Sequence, residues 1–75
     1  MRINKDCEKY LQSVGARIRS LRKKKGWTLE ETEEHGYPTW QHLQAIENGK
    51  NITLATLWQV AKLYGVSTGE LLKGL

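Results

Sequence analysis

The sequence predicts an all-α fold, a compact bundle of five short helices. Three observations carry that prediction. Apolar residues recur at steps of three and four, the spacing of one helix face. Capping residues and glycines divide the chain at short intervals. Alternating β-branched runs are few, and the chain has one proline, Pro38. Five helices in 75 residues leave room only for tight turns, which favours an orthogonal bundle over long up-down helices.

Each element has its own signals. Ile3, Cys7, Tyr10, Val14, Ile18 and Leu21 form the apolar stripe of the first helix. Cys7 lies on that stripe and is expected in core or interface packing rather than as a nucleophile. Gly15 weakens the pattern by roughly 1 kcal/mol relative to Ala, so the helix is either continuous or broken near Ser13–Gly15. Gly26 ends it, with Lys23, Lys24 and Lys25 in the last turn, where cations suit the helix dipole. Trp27 is expected as a core or staple residue between the first two helices. Thr28-Leu29-Glu30-Glu31 is a capping-box pattern and starts a second helix, kept short by Gly36 and Pro38. Thr39 can cap a third, with Leu43 and Ile46 facing the core and Asn48-Gly49 stopping it. Thr53 caps a fourth, which carries Leu54, Leu57, Val60, Ala61 and Tyr64 and ends at Gly65. Ser67-Thr68-Gly69-Glu70 is a second capping box and opens a fifth helix with Leu71 and Leu72.

Composition narrows the function. Hydrophobic residues are 39% and charged residues 27%, the balance of a soluble globular chain. No run of about 18 apolar residues is present to span a membrane. Met1-Arg2-Ile3-Asn4-Lys5-Asp6 lacks the apolar stretch of a secretory signal. A single cysteine excludes an intrachain disulfide framework and fits a reducing compartment; the expected location is cytoplasmic. Ser13, Ser20 and Ser67 have no positioned base, so no enzymatic function is expected. His35 and His42 lack a second ligand pair, and neither a metal, a cofactor nor a small-molecule ligand is expected.

Charge is unevenly placed. Residues 1–25 carry a net +7, residues 26–36 a net −4, and residues 37–75 a net +1. Arg17, Arg19, Arg22, Lys23, Lys24 and Lys25 form the basic cluster, read either as a phosphate-facing patch or as a solvated helix face. The run Glu30-Glu31-Thr32-Glu33-Glu34 argues against a uniformly basic nucleic-acid surface.

Three stretches share one resemblance. Val14 to Thr28 looks like the first-helix signature of the lambda-repressor-like helix-turn-helix family, the Cro/cI or XRE class. Ala45-Ile46-Glu47-Asn48-Gly49-Lys50 resembles that family's closing motif after its third helix. Thr53 to Leu57, Ala61 to Ser67 and Glu70-Leu71-Leu72 resemble its last two helices. The whole chain, 1–75, is expected to be one helix-turn-helix domain, with 14–72 the family-like core and 1–13 an N-terminal extension of the first helix. The stretch Gly49 to Leu54 is similar to the controller proteins of restriction-modification systems, and the chain's small size to short phage repressors.

The resemblance implies a five-helix fold in which the second and third helices form the helix-turn-helix. The third helix would lie in a DNA major groove. Base-reading positions fall on Trp40, Gln41, Gln44 and Ala45. Backbone positions fall on Thr39, Asn48, Lys50 and Asn51, with Arg19 and Thr28 as further candidates. Thr28 sits at a helix N-terminus, where free N–H groups attract phosphate. Arg22 and Glu47 match family positions that form an ion pair between the first and third helices. The chain departs from the family pattern at Leu29 (Gln preferred), Glu33 (small residue preferred) and Tyr37 (Gly preferred), with Gly36 one residue early. Glu33 must therefore turn outward or be paired, because a buried lone carboxylate costs several kcal/mol.

Two functions follow from these residues. The first is a sequence-specific DNA-binding transcriptional regulator, a repressor of the minimal kind, acting on double-stranded DNA as a homodimer. Its base readers would be Gln41 and Gln44, whose amides both donate and accept on an adenine edge. Trp58, Leu63, Leu72 and Leu75 either widen the core or form the dimer face. The second is a protein-interaction module, an anti-repressor or adaptor, that keeps the fold without binding DNA. The acidic second helix, Trp40, Trp58 and a third helix without Lys or Arg favour it.

Overall fold

The computed structural model describes residues 3–75; Met1 and Arg2, which open the segment read for a signal, lie outside them. Five helices follow in order: α1 (Lys5–Lys25), α2 (Glu31–Glu34), α3 (Trp40–Glu47), α4 (Leu54–Tyr64) and α5 (Thr68–Leu72). The described residues contain no strand. No helix among them is long and apolar enough to cross a membrane.

α1 runs unbroken through Gly15. The Asn4 side chain opens it, accepting from the Cys7 N–H at 2.8 Å. Gly26 closes it at φ 75°, a left-handed conformation open to glycine at little cost. Gly15 has a different use. A Cβ there would sit 2.5 Å from the carbonyl oxygens of Ile46 and Glu47. α1 and α3 thus meet backbone to backbone, and the glycine's helix cost is the condition of that contact.

α2 is a single turn. The Thr28–Glu31 capping box forms, with reciprocal bonds of 3.0 and 3.2 Å. Leu29 and Glu30 nevertheless form a tight turn, held by i→i+3 bonds from Thr32 and Glu33, and α2 starts only at Glu31. The third helix departs further from expectation. Thr39 stands at its N-cap, but its hydroxyl donates to Gln41 Oε1 instead of capping. The cap comes from Glu33, whose Oε2 accepts from the Trp40 N–H at 2.8 Å. A carboxylate is the stronger acceptor, and it suits the positive end of the helix. Glu33 is therefore both exposed and paired. Thr53 caps α4, and Ser67 with Glu70 completes the capping box of α5.

The core gathers Val14 and Ile18 of α1, Leu43 and Ile46 of α3, Leu57, Val60, Ala61 and Tyr64 of α4, and Leu71 of α5. Tyr37, in the turn before α3, joins them. α1 is the common wall, packing against α3, α4 and α5. Trp27 is half-buried and stacks on His35 at 3.7 Å and on Tyr64 at 5.9 Å, which makes it a staple at the end of α1.

Three apolar residues are not where the stripes placed them. Cys7 and Tyr10 are exposed, because the other helices cover α1 only from Val14 onward. Leu54 is 83% exposed, since the covered part of α4 begins one turn later at Leu57.

Candidate nucleic-acid interface

Helix α3 is eight residues long, and its two faces separate cleanly. Leu43 and Ile46 are buried. Gln41, Gln44 and Asn48 are exposed and fall on one stripe at steps of three and four, with half-buried Ala45 between them. Trp40 is half-buried at the start of the helix, where its N–H is bound to Glu33. Gln41 is pre-oriented by the Thr39 hydroxyl at 2.8 Å. Lys50 and Asn51 are exposed in the connection that follows.

The only acid in α3 is Glu47, and it is turned inward. Its carboxylate accepts two bonds from Arg22, Nε to Oε2 at 2.8 Å and Nη2 to Oε1 at 3.0 Å. The two side chains are only 11% and 5% exposed. The third donor of Arg22, Nη1, bonds the Trp27 carbonyl at 2.9 Å, so the pair also fixes the turn after α1. The hydrogen bonds that the guanidinium donates to Glu47 raise its pKa from the ordinary value, against the lowering effect of burial. The consequence for α3 is that none of its own outward residues carries a carboxylate; the exposed Glu33 carboxylate lies at its N-terminus. Beside the pair, burial pushes the Tyr64 phenol far up, and its hydroxyl has no hydrogen-bond partner among the described residues. Burial also raises Tyr37, whose hydroxyl is hydrogen-bonded to His42 Nδ1 at 2.8 Å and so ties the turn to α3.

The structure sorts the basic cluster. Arg17 is not phosphate-facing: its guanidinium donates to the carbonyls of Glu70, Leu71 and Lys73 at 2.9–3.4 Å, closing the C-terminal end of α5. Arg22 is consumed by Glu47. Arg19, Lys23 and Lys24 are exposed and line a shallow groove with Ala16 and Ser20. Thr28 is exposed, but its N–H is not free for phosphate. It donates to the Glu31 carboxylate at 3.0 Å, and that bond from the Thr28 backbone holds Glu31 below the usual carboxylate range.

The four apolar candidates for an interface divide in two. Trp58 is 57% and Leu75 41% exposed, whereas Leu63 and Leu72 are half-buried against the core. Trp58 and Leu63 line one groove together with His35, Gly36, Tyr37 and Pro38, and the Lys62 ammonium lies 4.9 Å over the Trp58 ring.

A family model described as a helix-turn-helix domain matches residues 15–75. The chain belongs to the helix-turn-helix family. A curated relative, the uncharacterized HTH-type transcriptional regulator y4dJ of Sinorhizobium fredii, is 41% identical over 59 residues, 77% of either chain. No solved structure matches significantly. Within the family frame, α2 and α3 are the helix-turn-helix, joined by a turn in which Gly36 takes φ 108°. The glycine thus serves the turn one residue before Tyr37, which is buried in the core and could not take that backbone without strain. Two residues that position α3 have no local sequence signal, Gly15 and Glu33, and neither has Arg17, which closes α5; each acts on a partner outside its own helix.

Proposed function

We propose that this chain is a sequence-specific DNA-binding transcriptional regulator, a non-enzymatic protein that reads bases with the outer face of α3. The observation that carries the reading is the composition of that face. Gln41 and Gln44 stand exposed on one stripe, and the helix's single acid is locked away by Arg22. The polar, uncharged side chains of that face can enter a major groove without repelling phosphates, while the exposed Glu33 carboxylate stays bound to the Trp40 backbone N–H at the helix start. Gln amides there meet the donor and acceptor of an adenine edge. Arg19, Thr39, Asn48, Lys50 and Asn51 would hold the backbone, with Thr28 contributing its hydroxyl edge rather than its N–H. Trp40 and Ala45 would offer apolar contact to thymine methyls or sugar. The relative's description as a transcriptional regulator supports the same reading. Bound near a promoter, the protein would block or recruit polymerase by occupancy.

The active unit in this reading is a homodimer on a two-fold-related operator, with Trp58, Leu63, Leu72 and Leu75 at its contact. Exposed Trp58 and Leu75 support it. Selection from a random duplex pool should return a palindrome with half-sites about one helical turn apart. A non-palindromic consensus, together with a clean monomer mass by sedimentation at micromolar concentration, would remove the dimer from the account.

Exposed Leu54 and Trp58 on α4 favour a second reading, a protein-interaction module on the same fold. The same selection separates the two: a module of that kind returns no enriched sequence.

A further inference from the structure

Helical spacing places Lys5, Lys9, Gln12, Ala16, Arg19 and Lys23 on one straight seam of α1, at steps of four and three. All six are exposed. The seam is about 27 Å long at 1.5 Å per residue. It carries four cations and no acid; Asp6 and Glu8 fall to either side of it. None of the four cations has an ion-pair partner within 4.0 Å among the described residues. Other cations do have uses: Arg22 holds Glu47, Arg17 closes α5, and Lys62 covers Trp58. Like charges one turn apart oppose a helix, and the Lys5–Lys9 and Arg19–Lys23 spacings lie within a Debye length at ordinary salt. Lys23 suits the helix dipole in the last turn of α1, whereas Lys5 stands in its first turn, where a cation opposes the dipole.

The seam also touches the candidate interface. Gln12, near its middle, abuts Gly49: a Cβ on Gly49 would lie 3.0 Å from Gln12 Cγ and 3.5 Å from its Cα. Lys50 and Asn51 follow immediately. A duplex backbone held by that connection would meet the seam at Gln12, and Lys5 to Ser13 are exposed apart from half-buried Leu11.

We propose that this seam is a rail for the DNA backbone outside the bases read by α3, with Lys5 and Lys9 on phosphates of the flanking duplex. The proposal rests on the DNA-binding reading and extends it: the footprint is longer than the consensus. It gives the N-terminal half of α1 a role that core packing does not.

The test compares wild type with the double variant Lys5→Gln/Lys9→Gln on two duplexes. One ends at the selected consensus; the other continues about 10 bp, one helical turn, on each side. Affinity is titrated at several salt concentrations, and thermal unfolding confirms that the variant folds. On the long duplex the variant's salt slope should be lower by about 1.8, at about 0.9 per lost phosphate contact. On the short duplex the slope should not change, and preference over scrambled DNA should persist on both. An unchanged slope on the long duplex overturns the rail. An equal drop on both lengths overturns its placement in the flank. Failure of wild type to prefer its consensus is a separate result, seen before any variant is compared, and it strikes the reading of α3. The rail is then still judged by the slope on non-specific long duplex, and failure to bind any duplex removes both.

Discussion

The two halves of α1 carry the same apolar periodicity and have opposite fates. From Val14 on, the stripe is covered by α3, α4 and α5, and Val14, Gly15, Ile18 and Arg22 are buried. Before Val14, Cys7 and Tyr10 continue the stripe into solvent. An amphipathic pattern therefore establishes that a helix has a face. Whether anything lies on that face depends on where the partner elements end. The covered half does structural work through residues that pair across the bundle. The uncovered half keeps its charges unpaired and available.

Mutations should separate the halves, and the largest effect is expected at the centre of the covered one. Glu47→Ala strands the Arg22 guanidinium in a nearly closed site and should cost about 3–5 kcal/mol in denaturant unfolding. That is a large part of the stability of a domain this small. An unchanged midpoint would mean that the pair contributes nothing despite its burial. Gly15→Ala comes next. Its methyl would collide with the Ile46 and Glu47 carbonyls, so α1 and α3 must separate. Overpacking of this kind costs about 1–3 kcal/mol, against a helix-propensity gain of about 1 kcal/mol. A net stabilisation would show that the two backbones can move apart freely. Arg17→Ala should cost about 1 kcal/mol, since it removes three bonds to carbonyls at the partly solvated end of α5. Faster amide exchange confined to α5 would mark the same loss.

The uncovered half should be almost silent. Cys7→Ser and Tyr10→Ser are each expected within about 0.5 kcal/mol of wild type in dilute protein. A loss of 2 kcal/mol or more at either position would erase the contrast, because it would require something to be packed on that half.

The same contrast explains what could be read from the chain. Signals that act within three or four residues were legible: the left-handed stop at Gly26, the Thr53 cap and the Ser67–Glu70 box all stand where their sequence patterns put them. So did the inward turn of Leu43 and Ile46, which sends Gln41 and Gln44 outward. Bonds between residues distant in the chain were not legible from the residues themselves; the Arg22–Glu47 pair was expected only through the family resemblance. Glu33 caps a helix that starts seven residues on, and Arg17 reaches a carbonyl 56 residues away. In each case the side chain has a plausible local use, and only the fold reveals the partner. Gly15 looked like a defect in a helix because the carbonyls that demand it belong to α3. At the candidate site, residue type and exposure are properties of the chain itself. The groove each residue would enter depends on family resemblance.

The central claim is that the outer face of α3 reads bases while the following connection holds the backbone. Its most direct test is a titration of wild type, Gln41→Ala, Gln44→Ala and Lys50→Ala on selected and scrambled duplexes at two salt concentrations. Each Gln variant should lose roughly 1–3 kcal/mol on the selected duplex and little on the scrambled one. Lys50→Ala should weaken both alike and lower the salt slope by about one unit. Gln variants that keep the wild-type preference, or that lose equally on both duplexes, would contradict the account and remove α3 as the reader.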